Sequence, residues 1–224
     1  MAAYTTINKP SLYFNTKLYT GNGSTNAITG VGHQPDFTWI KRRDSTGNHG
    51  LYDAVRGVLE RLQSDQTSAE ATTADSLTAF GTDGFTMGSN SSYNGSSQTY
   101  ASWNWKAGGG QGSSNTDGSV NTTAGFSISK YTGTGNAGTV GHGLGVAPKV
   151  IIIKNISQTT DWVFGHQELD ASAPWTKYLE LNSNVAVLDN TVFNDTAPTN
   201  SVFSVGGDGK VSSGAGSHVA YCFA

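Results

Sequence analysis

The chain has 224 residues, of which 29 are glycine, 10% are aromatic and only 13% are charged, with a formal net charge of -3. Scattered Lys and Arg form no basic stripe, which argues against nucleic acid or an anionic membrane surface as a partner. No apolar run approaches the ~20 residues of a bilayer-spanning helix, and the N-terminus has neither a basic start nor an apolar core, so a soluble chain without membrane insertion is expected. A lone cysteine, Cys222, leaves no intrachain disulfide and reads as a small core residue.

Residues 1–13 read as a polar N-terminal arm with few apolar anchors, of the kind ordered by adding to a neighbour. From Phe14 onward the chain turns to short strands. Phe14, Thr16 and Leu18 alternate as a half-buried opening strand, and Gly21 and Gly23 follow in a turn where they can supply positive φ. Pro35 stands just before Phe37-Thr38-Trp39-Ile40, at a strand start where a missing N–H costs least. Val55, Val58, Leu59 and Leu62 have helical spacing, but Trp175 to Leu181, their counterpart further on, reads as a strand. The counterpart is given the greater weight, so a strand or irregular segment is expected. Asp83-Gly84 is a turn pair before Phe85 and Met87, and Ala101, Trp103 and Trp105 set large residues on one face of a closing strand.

Gly108-Gly109-Gly110-Gln111-Gly112-Ser113 opens a Gly/Ser-rich linker, placed at 108–125. Beyond it the pattern recurs. Thr16–Gly23 is echoed by Ile128–Gly135, Gln34–Lys41 by Ala147–Lys154, Asp83–Gly88 by Ser201–Gly206, and Tyr100–Trp105 by His218–Phe223. The offsets rise in small steps from 112 to 118 residues, as loop insertions between retained strands would produce. Residues 14–107 therefore form a first β repeat and 126–224 a second. The fold expected is all-β, an internally duplicated antiparallel β-sandwich of jelly-roll or concanavalin-like type, either as two lobes or as one interleaved sandwich. Ser102 and Asn104 become Ala220 and Cys222, so the second closing strand is expected to be the more enclosed.

Chemistry-bearing motifs are few. Gly133-Thr134-Gly135-Asn136-Ala137-Gly138 matches the GxGxxG pattern, but no helical run follows it, which sets dinucleotide binding aside. His33 and His142 occupy broadly similar loops. His166, Glu168 and Asp170 would share a face if they lay on one strand, and could then attract a divalent metal. Ordinary turn roles are the expectation for all of them, with no metal, no cofactor and no catalytic set, hence no enzyme. Binding has better support: sugars need flat aromatic faces beside Asn, Asp and Ser hydrogen-bonding groups. Tyr52, Tyr93, Trp162 and Trp175 are the candidate exposed aromatics for such a surface.

Pro35-x-Phe37-x-Trp39-Ile40-Lys41, Leu51-Tyr52-Asp53-x-Val55-Arg56-Gly57, Asp83-Gly84-Phe85 and Tyr100-Ala101-Ser102-Trp103-Asn104-Trp105 together resemble a domain family of tail-fibre and other virion-associated proteins of marine bacteriophages. The second copy carries the same signature as His142-Gly143-Leu144-Gly145-x-x-Pro148 and Tyr221-Cys222-Phe223-Ala224. The resemblance implies a structural component of the virion, made in the host cytoplasm: a capsid decoration or a fibre knob with host-adhesive function. Its implied partners are other capsid or tail proteins and a host glycan or surface receptor, with a homo-oligomer, such as a trimer, as the assembly. A free carbohydrate-binding module is the alternative, and a polysaccharide hydrolase a more distant one.

Overall fold

The two-residue alternation of Phe14, Thr16 and Leu18 against Asn15, Lys17 and Tyr19 is that of a strand with two unlike faces. In a computed structural model, which describes residues 7–108 and 117–224, these residues form β1 (Phe14–Thr20). Residues 1–6 of the expected arm and 109–116 of the expected linker lie outside the described residues.

The first repeat continues with β2 (Asn26–Thr29), β3 (Phe37–Arg42), β4 (Gly50–Asp53), β5 (Gly57–Leu62), β6 (Ala71–Thr72), β7 (Leu77–Gly81), β8 (Gly84–Met87) and β9 (Thr99–Trp105). A one-turn helix, α1 (Ser91–Asn94), precedes β9; its first amides are met by the Asn90 side chain, which accepts from Ser92 N. The strands build a six-stranded sheet in the order β1-β9-β3-β4-β5-β6 and a three-stranded sheet β2-β8-β7. Every ladder in both is antiparallel. Ile40, Tyr52 and Tyr100 of the large sheet meet Ile28, Leu77, Phe85 and Met87 of the small one in a single core, closed by Tyr93 of α1. Burial of this apolar surface between two sheets drives the sandwich.

The second repeat is built the same way. Its strands are β10 (Asp117–Asn121), β11 (Phe126–Thr132), β12 (Gly138–Gly141), β13 (Val150–Asn155), β14 (Val163–His166), β15 (Lys177–Glu180), β16 (Leu188–Asp189), β17 (Val202–Val205) and β18 (Ser217–Phe223). A second one-turn helix, α2 (Gly209–Ser212), is capped by Asp208, which accepts from Lys210 N. The large sheet runs β10-β11-β18-β13-β14-β15-β16 and the small one is β12-β17. From β11 to β16 the order repeats that from β1 to β6. Ile151, Ile153, Ala220 and Cys222 face Val140, Phe203 and Val205 across the core.

The correspondence extends to single bonds. Tyr19 Oη donates to Tyr93 O at 2.6 Å, and Tyr131 Oη donates to Val211 O at 2.8 Å, each tying the opening strand to the one-turn helix. Gly23 and Gly135 adopt φ of +69° and +78°, as the turn requires. Gly21 and Gly133 are needed for another reason. A Cβ at Gly21 would lie 2.2 Å from Gly95 O, and one at Gly133 2.3 Å from Ser213 O.

The chain forms two compact units. One takes the described residues up to Leu62 with Ala71–Gly108; the other takes Gln63–Glu70 with the described residues from Asp117 onward. Thus eight residues between β5 and β6 belong to the second unit. Asp117–Asn121, within the span read as linker, is strand β10, paired antiparallel to β11. Gly57–Leu62 is a strand, in keeping with its counterpart β15 rather than with its helical spacing. The second closing strand is the more enclosed, as expected, but the difference lies at Tyr221, which is buried where its counterpart Trp103 is half-buried; Ser102, Asn104, Ala220 and Cys222 are all fully buried. The first unit accommodates the two polar residues by bonding them: Thr38 Oγ1 donates to Asn104 Oδ1, and Asn104 Nδ2 to Ser102 Oγ.

Candidate functional site

The four aromatics expected at a binding surface are core residues. Tyr52, Tyr93 and Trp162 are 0% exposed and Trp175 is 6% exposed. Tyr52 and Tyr93 pack edge to face at 6.0 Å, and Tyr93 Oη reaches His49 O at 3.2 Å. Trp175 packs edge to face on Phe193 at 5.2 Å. Each ring packs against or bonds to groups distant in the chain.

The exposed aromatic surface lies on a sheet face. On β3 and β9 of the first unit, alternation sets Trp39, Trp103 and Trp105, together with the buried Phe37, on the face opposite Ile40 and Tyr100, which point into the core between the sheets. Antiparallel register places Trp39 opposite Trp103, and Trp105 opposite both Phe37 and Phe14. Trp105 stacks on Phe37 at 5.1 Å with 28° between planes, and Phe14 lies 4.8 Å from Trp105. Trp39, Trp103 and Trp105 are half-buried. With His49 they line a depression of 270 Å³.

His49 ends the loop from β3 to β4 and orients this surface. Trp39 Nε1 donates to His49 Nδ1 at 2.7 Å, and the rings meet at 73°. Indole nitrogen can only donate, so Nδ1 is the accepting nitrogen and the imidazole proton stands on Nε2. Side chains on adjacent strands are thereby held as a rigid, mostly apolar platform with one polar group at its rim. Such a surface can stack the C–H face of a sugar ring or another flat ligand. In the second unit the corresponding positions are Val150, Ile152, Tyr221 and Phe223, and Ile152 and Tyr221 are buried. The platform therefore belongs to the first repeat. The signal for it in the sequence was the exchange of Trp39, Trp103 and Trp105 for Ile152, Tyr221 and Phe223.

Buried and titratable groups elsewhere have structural work. Asp53 and Arg56, whose side chains are fully buried, pair at 2.5 Å; Arg56 also donates to Leu51 O and Glu60 O, bracing the irregular junction of β4 and β5. The Lys154 ammonium donates to Thr67 O at 3.0 Å and Thr160 O at 2.8 Å, and burial lowers it to about 8. His33 Nδ1 lies 3.2 Å from Ser11 O, while His142 bonds within its own loop and with Thr199 O. Burial holds both imidazoles below the usual range. Strand β14 stops at His166; Glu168 N donates to His166 Nδ1, and Asp170 accepts from Ser172 N and Ala173 N, so His166 and Asp170 shape the chain beyond the strand and the three residues do not share a strand face. Burial pushes the Cys222 thiol up to about 12. Among the described residues no three His, Cys, Asp or Glu side chains gather to hold a metal.

Fold and site together define a class: an internally duplicated antiparallel β-sandwich protein with an aromatic platform on one sheet face. The chain belongs to a family described as a domain of unknown function, DUF7483, whose profile matches residues 9–224. No curated protein and no solved structure matches it.

Proposed function

We propose that this chain is a non-enzymatic structural protein displayed on a bacteriophage particle, as a capsid decoration or fibre knob, and that its first unit holds host-surface carbohydrate on the aromatic platform. The observation that carries the binding half of this reading is the set of half-buried rings of Trp39, Trp103 and Trp105, oriented by the Trp39–His49 bond. Partly exposed indoles cost solvation that a stacked sugar ring would recover, and a rigid surface loses little entropy on binding. The assignment of the buried charges to structural bonds supports a scaffold over a reaction centre. The virion half rests on the motif resemblance, and its partners are then neighbouring capsid or tail proteins.

A glycan array with the purified chain tests the binding. Wild type is expected to retain a subset of polysaccharides, with affinity about tenfold or more weaker in Trp39→Ala and in Trp103→Ala, a loss of at least ~1.4 kcal/mol. Retention that is equal in wild type and both variants would remove the platform from the proposal. Mass spectrometry of purified particles tests the location: stoichiometric abundance is expected. Its absence from particles, with glycan binding intact, would favour a free carbohydrate-binding module.

A further inference from the structure

The two units differ at one sheet edge. In the second unit, β11 is covered on its outer side by β10, with Ser119 opposite Ile128 and Asp117 opposite Lys130. In the first unit, the corresponding β1 is the end strand of its sheet, and among the described residues no strand pairs with its outer side. Gly21 N donates to Gln98 O and Lys106 N to Tyr13 O, so the odd-numbered residues of this stretch face β9. By antiparallel alternation, the amides and carbonyls of Phe14, Thr16, Leu18 and Thr20 then point away from the sheet. Among the described residues only local bonds touch them: Thr16 N donates to Asn15 Oδ1, and Thr20 O accepts from Asn26 Nδ2. The side chains of the same residues are exposed, including Phe14 at 38% and Leu18 at 55%. A seven-residue strand carrying exposed apolar groups is a template for another strand.

We infer that the outer edge of β1 pairs antiparallel with β1 of a second copy of this chain, continuing the six-stranded sheet across a two-fold axis. The occupant follows from the strand's own pattern. Centred on Thr16, the pairing sets Phe14 against Leu18 twice and Thr16 against Thr16, all with outward-pointing amides and carbonyls. Apolar side chains thus meet apolar ones, a threonine pair sits on the axis, and Lys17 faces Asn15 rather than another Lys17. Pairing centred on Lys17 would oppose two like charges. The β10–β11 ladder shows that the equivalent edge in the same chain accepts an antiparallel strand.

Because the axis stands perpendicular to the sheet, the two aromatic platforms come to the same face. Trp103 lies one strand in from the edge, so the two copies of this residue are about three strand spacings apart, ~14 Å. A polymeric ligand could then span both platforms, raising its avidity without a new contact. The pairing itself does not depend on the carbohydrate reading.

Analytical ultracentrifugation of the full chain tests the pairing. Wild type is expected to be a dimer by about 100 µM. Leu18→Lys, which sets a charge against Phe14, and Thr16→Pro, which removes an outward amide that β9 does not use, are expected to be monomers with unchanged thermal unfolding. If Thr16→Pro misfolds, Leu18→Lys decides. Thr16→Cys is expected to form a covalent dimer on mild oxidation, since hydrogen-bonded antiparallel partners lie ~5.5 Å apart at Cα. Lys17→Cys should form much less. A wild type that stays monomeric at that concentration, a trimer, or a dimer unaffected by Leu18→Lys would overturn the inference.

Discussion

Trp162 Nε1 donates to the carbonyl oxygen of Gln63 at 2.9 Å, joining residues 99 positions apart in the sequence. The same indole reaches Gln66 O at 3.1 Å, Thr160 N donates to Thr67 O, and Glu70 N donates to Ile156 O. Segment 63–70, drawn from the first repeat, is thereby a built-in part of the second unit. Trp162→Ala is expected to cost about 3–5 kcal/mol in urea unfolding, through lost ring volume and two orphaned carbonyls. Trp162→Phe should cost about 1–2 kcal/mol, because the ring remains and the bonds go. In both variants limited proteolysis should cut first within 63–70.

Lys154 holds the same segment and makes stability depend on alkaline pH. Its ammonium is fully buried and its folded value, about 8, lies below the ordinary 10.5 because burial disfavours the charge. Between those values the unfolded chain binds the extra proton, so Lys154's contribution to stability rises with pH and its cost is whole below pH 8. Relative to Lys154→Met, wild type is expected to gain about 1–3 kcal/mol between pH 7.5 and 10. Chemical unfolding of both proteins at stepped pH measures this; a constant difference would remove the assignment.

Asp36 acts in the acid range with the opposite sign. Burial raises its carboxyl to about 6, against the Ala107 amide and the Lys106 charge, which pull it down. The folded chain therefore holds the extra proton between about 4 and 6, and stability from this group is lost as pH rises through that window. Asp36→Asn should be more stable than wild type at pH 7 by about 1–2 kcal/mol, with the gain disappearing near pH 4. Thermal unfolding at pH 4 and pH 7 checks both parts.

The Asp53–Arg56 pair is expected to show strong coupling. Arg56→Met leaves a buried carboxylate without its guanidinium and should cost about 3–5 kcal/mol, whereas the double variant Asp53→Asn with Arg56→Met should cost clearly less than the two single changes added together. A double-mutant cycle by urea unfolding gives the coupling directly.

Much of the fold is legible along the chain because it is local. Strand alternation, the paired glycines at 21, 23, 133 and 135, and the ordered recurrence of Thr16–Gly23 as Ile128–Gly135 need only neighbouring residues to be read. They foretold an all-β duplicated sandwich, and they outweighed the helical spacing of Val55 to Leu62. The binding surface was less legible. Alternation separates Trp39 from Ile40 and Trp103 from Ser102, yet it does not say which face of the strand meets the second sheet. Tyr52 and Trp162 read as exposed aromatics, yet both are fully buried.

Burial is set by atoms that arrive from elsewhere in the chain, so composition and spacing along the strands carry the architecture but not its solvent side. Packing of β2, β7 and β8 onto one face of the large sheet put Tyr52 and Tyr93 inside and left Trp39 and Trp103 half-buried on the other. Pairing of β10 with β11, at residues whose composition reads as linker, covered one edge, whereas among the described residues its counterpart β1 is an end strand. Both outcomes depend on contacts across tens of residues, which a reading of neighbours does not contain.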